Sequence, residues 1–315
     1  MTITTIIPAL ITLIVGYFLI KFPVSVSVPT DRGMHQDIIS SSGGIALLAG
    51  FIVGIFLNTS IDIVYVSIII IGILGFLDDK YSLSKYLRLV IQIGISAFIV
   101  NEMIGDDIIV YLLFLIFLSA YTINVYNFMD GIDQLAISQY IFYLIGFSMI
   151  RETDLAFFLI FIAFFLINYP KTKLFLGNCG SYLLGLLVII PILHNGRLGF
   201  ENLIPYIILM TTFYVDTTYT LIVRFIRKFH TKDSTTIESI KHIMEPHRSH
   251  LYQKLALKMN SHSKVVIIIM AYNFIWCLPI FYMAYNYRSY SLIFLFLSIA
   301  PYVYYCYQNK AGIES

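Results

Sequence analysis

Acidic, amide and basic side chains recur in short clusters along an otherwise apolar chain. Asp78 and Asp79 are adjacent at the end of the apolar segment ILGFLDD. Two neighbouring carboxylates repel each other and are costly to remove from water. The pair is therefore either a solvated helix terminus assisted by Lys80 or a site for a cation or for phosphate chemistry. Arg88 and Gln92 follow at helical spacing and offer a guanidinium and an amide on one face.

A second cluster lies in the segment NVYNFMDGIDQLA. It supplies Asn124, Asn127, Asp130 and Asp133. Because each follows the previous one at a spacing of three, we expect all four on one side of a helical turn. Gly131 would allow another group to approach closely. So many amide and carboxylate groups in apolar sequence favour a functional site over ordinary helix-end polarity.

Two further motifs supply amide and basic groups. FLGNCGSYLLG carries Asn178 and Ser181 in a glycine-rich turn that opens a helix. Such a turn exposes backbone N–H groups that could seat a phosphate, and a tight turn with a serine N-cap explains the pattern equally well. EPHRSHLYQKL carries His247, Arg248 and His250. These three fit diphosphate recognition, and ordinary cytoplasmic basic residues would give the same pattern.

The composition indicates the class of protein that carries these clusters. Of 315 residues, 59% are hydrophobic and only 12% are charged, and the mean hydropathy is +0.84. A soluble domain is about half apolar and about a quarter charged, so the sequence predicts an integral membrane protein. A net charge of +2 without a basic patch excludes nucleic acid as a partner. The three cysteines have no paired spacing, which argues against a disulfide framework.

Membrane-spanning helices must therefore position the clusters. The apolar runs predict one all-α domain over 1–315, a polytopic helical bundle with ten or eleven transmembrane helices in the lipid bilayer. Asp216 is the one carboxylate predicted inside a span, and an intramembrane acid is a functional candidate. The eleven candidate spans lie near 4–22, 44–58, 62–77, 87–104, 108–125, 136–150, 155–170, 181–195, 203–223, 265–285 and 290–307.

The distribution of Lys and Arg predicts the orientation of the bundle. With the N-terminus periplasmic, 17 of the 20 Lys and Arg residues lie in inner loops, at inner helix ends or in the C-terminal tail. An excess of basic residues marks the cytoplasmic side, so the acidic and amide clusters are expected at that face. The longest inner segment, 224–264, is predicted to be a cytoplasmic loop carrying the motif HRSHLYQ.

In their order along the chain, these motifs resemble the polyprenyl-phosphate N-acetylhexosamine-1-phosphate transferases of glycosyltransferase family 4. That family includes the muramoyl-pentapeptide translocase and the enzymes that initiate O-antigen synthesis, and the form HRSHLYQ is most similar to the O-antigen-initiating branch. The resemblance runs from about residue 32 to about residue 264. It rests on Arg32-x-x-His35 followed by Gly43-Gly44, and on LDDKYSLSKYLRLVIQ, NVYNFMDGIDQLA, FLGNCGSYLLG and PHRSHLYQ.

The resemblance implies an activity, a cofactor and a location. The implied reaction transfers an N-acetylhexosamine 1-phosphate from a UDP-N-acetylhexosamine to undecaprenyl phosphate and releases UMP. Mg²⁺ is the implied cofactor, with Mn²⁺ as a substitute. The implied protein is a multi-pass enzyme of the bacterial inner membrane with its active site on the cytoplasmic face, and a homodimer is compatible with the family.

The resemblance also implies roles for individual residues. Asp78, Asp79, Asp133 and His250 are expected to be catalytic, and Asp79 and Asn178 to bind Mg²⁺. The residues expected to bind substrate are Arg32, His35, Arg88, Asn124, Asn127, Asp130, Gly131, Phe175, His247 and Arg248.

One departure from the family pattern leaves an alternative open. The family motif FxGDxGS usually carries a Mg²⁺-ligating aspartate where this chain has Asn178. An amide oxygen can bind Mg²⁺ but brings no charge, so a catalytically weakened homologue with the same fold is the first alternative. A membrane transporter is the second. It is disfavoured because transporters tend to place ionisable groups near the bilayer midplane, whereas these acids are predicted at inner helix ends.

Overall fold

Long apolar helices joined by short connections make up most of the described chain. The computed structural model describes residues 3–28, 37–58, 63–105, 107–197, 199–230, 235–243, 245 and 247–313. Regular structure in these ranges is almost entirely helical, so the predicted all-α class is confirmed. The α-helices are α1 (Ile3–Lys21), α2 (Gly43–Asn58), α3 (Ile63–Tyr81), α4 (Lys85–Ile104), α5 (Ile109–Met129), α6 (Leu135–Ser148), α7 (Leu155–Ile167), α8 (Gly177–Gly196), α9 (Ile204–Leu209), α10 (Thr211–Phe229), α11 (Thr236–Ile243), α12 (Leu251–Met259), α13 (His262–Tyr272), α14 (Leu278–Asn286) and α15 (Ser291–Gln308).

Each of the eleven predicted spans coincides with helical structure, although the lengths differ. Within the described residues, six helical stretches are long and apolar enough to cross a membrane, and a bent pair would make a seventh. Helices α2, α6 and α7 are shorter apolar helices. The last turn of α3 carries Asp78, Asp79 and Lys80. The six long stretches are Ile3–Lys21, Lys85–Ile104, Ile109–Met129, Gly177–Gly196, His262–Asn286 and Arg288–Gln308.

The predicted span 203–223 is wrong as one continuous helix. The chain bends by 90° where Phe200–Leu209 meets α10. A bend frees backbone groups, which must be satisfied inside an apolar bundle. The amide of Gln139 on α6 donates to the carbonyl of Leu209 at 2.8 Å, and Asn273 donates to the Gln139 oxygen at 2.6 Å. A buried pair of amide side chains therefore stabilises the bend.

The segment 224–264, predicted to be a loop, is largely helical. It contains the end of α10, all of α11 and α12 and the first turn of α13. Leu251 and Leu255 on α12 are buried, so this helix packs onto the bundle. The HRSH part of the motif lies in the connection that leads into α12.

A two-stranded ribbon lies between α1 and α2. Strand β1 (Val26–Ser27) pairs antiparallel with β2 (Ile39–Ser40). Ser40 also forms a bridge with Leu174 ahead of α8, and the Phe175 N–H donates to the Ser40 carbonyl at 2.8 Å. The ribbon therefore connects the start of α8 to the α1–α2 pair.

Helix α8 is the central helix of the bundle. Most of its residues are buried, and α2, α3, α4, α5 and α6 all pack against it. Glycines bring two of these neighbours close, because a Cβ on Gly44 would overlap the backbone of Gly180. A Cβ on Gly75 would likewise overlap the backbone of Asn178 and Cys179. The first turn of α8 is thereby held against the end of α3 that carries the aspartate pair.

Two mid-helix glycines make a matched test of this packing. We expect Gly75→Ala to lower the unfolding temperature of the purified protein, because the added methyl group would push α3 away from the first turn of α8. Gly94→Ala is the control, since its Cβ would meet no atom within 4 Å and alanine favours a helix by about 0.8–1 kcal/mol. Equal unfolding temperatures for the two variants would contradict the proposed close contact.

Candidate functional site

A cavity of about 480 Å³ opens near the ribbon, where α3 and α5 end and α8 begins. Its wall also includes residues of α7, α12 and α13. Eight of the residues that the sequence analysis selects line this cavity. They are Asp78, Asp79, Asn127, Asp130, Gly131, Asp133, Phe175 and Asn178.

Asp79, at the end of α3, caps the N-terminus of the central helix α8. Its two carboxylate oxygens accept the backbone N–H groups of Asn178 at 2.9 Å and of Cys179 at 3.1 Å. The N-terminus of a helix carries unpaired N–H groups and a partial positive charge, both of which favour an anion. Gly177 has a φ of +69°, and a Cβ there would overlap the Ser41 carbonyl and lie 2.7 Å from the Asp79 carboxylate. The predicted phosphate seat at this turn therefore holds an aspartate of the chain itself.

The serine N-cap considered as the other explanation of this turn is wrong. Helix α8 begins at Gly177, so Ser181 lies inside it. Its hydroxyl accepts from the Asn127 amide at 3.2 Å and donates to the Asn178 carbonyl at 3.4 Å.

Asp78 points away from Asp79 into a basic and hydroxyl environment. The Arg88 guanidinium donates to its Oδ2 at 2.7 Å, and the Tyr182 hydroxyl donates to the same oxygen at 2.9 Å. The Leu83 N–H donates to the other oxygen at 3.0 Å. With its charge paired and both oxygens bonded, Asp78 is suited to position α3, α4 and α8 relative to one another. Among the described residues, Asp79 in contrast is paired only with backbone groups.

Asn178 is bonded through the atom that a metal would use. The Asn127 amide on α5 donates to Asn178 Oδ1 at 2.6 Å. A carbonyl oxygen has two lone pairs, so this bond leaves one of them for another partner. The contact links α5 to the first turn of α8.

The spacing of three does not place its four residues on one helical turn. Helix α5 ends at Met129 and Asp130 is its C-cap, so Asp130 and Asp133 lie in the connection to α6. They nevertheless line the cavity with Asn127. Asn124 faces elsewhere and donates to the Gln92 oxygen at 2.7 Å, in a layer behind the cavity that Gln92 on α4 completes.

Asp130 is the least compensated acid of the cavity. The structure gives it no hydrogen bond or ion pair with any described residue. Burial in the first place, and the charges of Asp79 and Asp133 in the second, raise the pKa of Asp130 well above its ordinary value. A group in this state would gain from a cation in the cavity.

The two histidines of the motif lie behind the cavity wall. His250 is 3% exposed, and its Nδ1 lies 3.2 Å from the carboxylate of Asp216. The His247 ring stacks on His250 with centroids 4.9 Å apart. Burial, followed by the charge of His250, lowers the pKa of His247 to about 3, so His247 is neutral at pH 7. Arg248 is half-buried and, like both histidines, is not among the described residues of the cavity wall.

Asp216, the acid predicted inside a span, anchors this motif. It is fully buried, and its carboxylate accepts the N–H groups of Leu251 at 2.9 Å and of Tyr252 at 3.0 Å. It therefore caps α12 from α10. Tyr252 in turn donates its hydroxyl to the Phe128 carbonyl at 2.8 Å, and a Cβ on Gly131 would overlap that hydroxyl. The close approach expected at Gly131 is thus made by Tyr252.

Two cavity residues receive no role from the predicted motifs. Gln253 is the last residue of HRSHLYQ and lies on α12, and His262 lies beyond that motif, where α13 begins; both line the cavity. The motifs do not identify these residues as cavity residues, because only the fold brings α12 and α13 to the α5–α6 connection. Arg32 and His35, predicted to bind substrate, lie outside the described residues.

A known protein family matches the part of the chain that forms much of this cavity. The model of glycosyl transferase family 4 matches residues 61–195. That range holds the aspartate pair, the α5–α6 connection and the capped first turn of α8. Over these residues the chain is similar to glycosyl transferase family 4.

Curated relatives extend the similarity over more of the chain. A probable undecaprenyl-phosphate N-acetylglucosaminyl 1-phosphate transferase of Bacillus subtilis is 29% identical over 286 residues, 80% of this chain and 75% of that protein. An undecaprenyl-phosphate alpha-N-acetylglucosaminyl 1-phosphate transferase of Thermotoga maritima is 25% identical, covering 71% of this chain and 72% of that protein. A phospho-N-acetylmuramoyl-pentapeptide-transferase of Streptococcus sanguinis is 24% identical, covering 50% of this chain and 62% of that protein.

The oxygen groups of the cavity fit the Mg²⁺ that the resemblance to family 4 implies. Mg²⁺ is usually held by one or two carboxylates together with substrate phosphates. Asp79 and Asp130 supply carboxylates without a cationic side chain against them, and Asn178 supplies an amide oxygen. Among the described residues, no group of three or more His, Cys, Asp and Glu side chains could hold a metal alone. Two carboxylates and one amide oxygen would leave coordination positions of Mg²⁺ for the phosphates of a substrate.

Asp216 gives a test of how buried groups behind the cavity support the site. We expect Asp216→Ala to lower the free energy of unfolding by about 2–4 kcal/mol, because the N–H groups of Leu251 and Tyr252 would lose a buried acceptor. Thermal unfolding in detergent measures the change, and Glu152→Ala, at an exposed position, is the control. Unchanged stability in Asp216→Ala would remove its anchoring role.

Proposed function

We propose that this protein is a glycosyl transferase of family 4, which transfers an N-acetylhexosamine 1-phosphate from a UDP-sugar to undecaprenyl phosphate and releases UMP. The reaction would start a cell-surface glycan such as O-antigen, on the cytoplasmic face of a bacterial inner membrane. The names of the Bacillus and Thermotoga relatives support undecaprenyl phosphate as acceptor and N-acetylglucosamine as the sugar. The observation that carries the proposal is the capping of α8 by Asp79 within a cavity that Asp130 and Asp133 also line.

The reaction joins two phosphates without an oxidant or a reductant. An oxygen of the acceptor phosphate attacks the donor phosphorus that bears the sugar. The bond between that phosphorus and the bridging oxygen breaks, and UMP leaves with the electron pair. The acceptor phosphate has a second pKa of about 6 and is largely dianionic at neutral pH, so little proton removal is required of the chain.

The side chains of the cavity would share the remaining work. Asp79, fixed by two backbone N–H groups, is placed to orient the phosphates and to remove a residual proton. Asp130 and Asp133 face the donor, with Gly131 and Phe175 beside it. When bound, Mg²⁺ supplies neutralisation of the diphosphate charge, and Asp79, Asp130 and Asn178 would hold it. The ion pair of Asp78 and Arg88 holds α3 and α4 together behind these side chains.

The weakened-homologue alternative rests on Asn178. Its amide oxygen is neutral and already accepts a hydrogen bond from Asn127 at 2.6 Å, so it would bind Mg²⁺ less strongly than an aspartate. The transporter alternative loses its main candidate residue. Asp216, the predicted intramembrane acid, is bonded to His250 and to two backbone N–H groups, which leaves it unsuited to bind a transported ion.

The aspartate pair tests the proposed reaction directly. In an assay of UMP release with undecaprenyl phosphate, a UDP-N-acetylhexosamine and Mg²⁺, we expect Asp78→Asn and Asp79→Asn each to reduce turnover at least about 100-fold. Asp79→Asn would weaken the cap of α8 and remove cavity charge, and Asp78→Asn would break the ion pair with Arg88. Asp107→Asn, in the exposed α4–α5 connection, is the control. Turnover like that of the wild type in both variants would exclude the pair from the mechanism.

Asn178 distinguishes an active enzyme from a weakened homologue. We expect Asn178→Asp to lower the Mg²⁺ concentration for half-maximal turnover by roughly 5–30-fold, equivalent to about 1–2 kcal/mol. The added charge attracts the ion, and repulsion from the other acids offsets part of the gain. Asn101→Asp is the control, since Asn101 is exposed near the C-terminal end of α4. An inactive wild type that gains turnover through Asn178→Asp would establish the weakened homologue, and an unchanged Mg²⁺ dependence would mean that residue 178 does not bind the metal.

A further inference from the structure

One histidine faces the cavity, and it is not one of those that the motif predicts. His247 and His250 stack on each other behind the wall, and His250 is bonded to Asp216. His262 lies in the wall itself, and its side chain is 20% exposed. Among the described residues, His262 is the imidazole placed to touch a ligand in the cavity.

The imidazole of His262 is held from one side. Its Nδ1 lies 3.1 Å from the carboxylate of Asp133 and 3.4 Å from the Asp133 backbone nitrogen. Ser261 caps α13 by accepting the N–H of Lys264 at 3.3 Å, which fixes the backbone at His262. The other ring nitrogen, Nε2, makes no hydrogen bond with any described residue. A ring anchored through Nδ1 with Nε2 open is arranged to present Nε2 to a ligand.

The charge of the cavity indicates which ligand that is. The described wall contains the carboxylates of Asp78, Asp79, Asp130 and Asp133 and no Lys or Arg. His262 is therefore the side chain of that wall that can carry a positive charge. A nucleoside diphosphate brings negative charge into this acidic space. An imidazole beside Asp133 gives it a hydrogen-bond partner that the carboxylates cannot provide.

From this placement we infer that His262 contacts the nucleoside diphosphate of the donor, with Asp133 holding its ring in position. His250 is then a positioning residue, which acts through Asp216 and the first turn of α12. The inference rests on the proposed function, because it assigns one contact within the same donor site.

Binding of UDP to the purified full-length protein tests the contact apart from turnover. In isothermal titration with Mg²⁺ present, we expect His262→Ala and His262→Gln to weaken UDP binding by roughly 10- to 100-fold, the range for a hydrogen bond to a charged group. His230→Ala is the matched control, since His230 is exposed at the end of α10 and is absent from the cavity wall. The unfolding temperatures of all variants should match that of the wild type.

Kinetic measurements and a double variant distinguish a contact of His262 with the donor from a purely structural role. We expect His262→Gln to raise KM for the UDP-sugar by more than it lowers kcat. We also expect the losses of UDP affinity in His262→Ala and Asp133→Ala to be non-additive in the double variant, because the two side chains act as a pair.

Two failures of the experiment have different meanings. If the wild type binds UDP and releases UMP while both His262 variants behave like it, the contact is overturned and the proposed function stands. If the wild type neither binds UDP nor turns over any UDP-N-acetylhexosamine, the proposed function and the contact are overturned together.

Discussion

The pairing of the Asp79 carboxylate with the first turn of α8 is the interaction on which the rest of the site depends. It joins residues 99 positions apart in the chain, and it places a charged group at the N-terminus of the most buried of the six membrane-length helices. The carboxylate would be costly to bury without partners. Two N–H groups at a helix N-terminus meet that cost. Gly75 and Gly177 make the approach close enough, since a side chain at either position would collide with the pair.

A second helix is also capped by an aspartate from a neighbouring helix. Asp216 on α10 caps α12 as Asp79 on α3 caps α8. From α12, the Tyr252 hydroxyl reaches the connection that carries Asp130 and Gly131. The cavity is thus bordered by two helix N-termini, each fixed by an aspartate from another helix. Among the described residues, this arrangement leaves Asp130 and Asp133 as the cavity acids that accept no backbone N–H group.

The sequence predicts the composition of this site better than its geometry. Composition and hydropathy predict the helical bundle, because apolar runs of membrane length have few other solutions. The motifs select most of the acids and amides of the cavity. The features that the motifs miss depend on contacts between segments that are far apart in the chain. The end of α5 at Met129, the bend before α10 and the Asp79 cap all depend on neighbours that no local pattern names.

The histidines show the limit of motif reasoning most clearly. HRSHLYQ draws attention to His250, yet that side chain is bonded to a buried aspartate. His262 comes into the wall only because α12 ends at Met259 and Asn260 adopts a left-handed conformation, after which the chain turns into α13. A single histidine at the start of an apolar helix has no distinguishing sequence signal.

The central claim is that the acids around the capped first turn of α8 need a cation that binds together with the nucleotide. The most direct measurement is the affinity of the purified wild-type protein for a UDP-N-acetylhexosamine, determined by titration with Mg²⁺ and again with EDTA. We expect Mg²⁺ to tighten binding at least about tenfold, and Asp130→Asn to reduce that gain, because a cation relieves the repulsion among Asp79, Asp130 and Asp133. Equal affinities with Mg²⁺ and with EDTA would contradict the account.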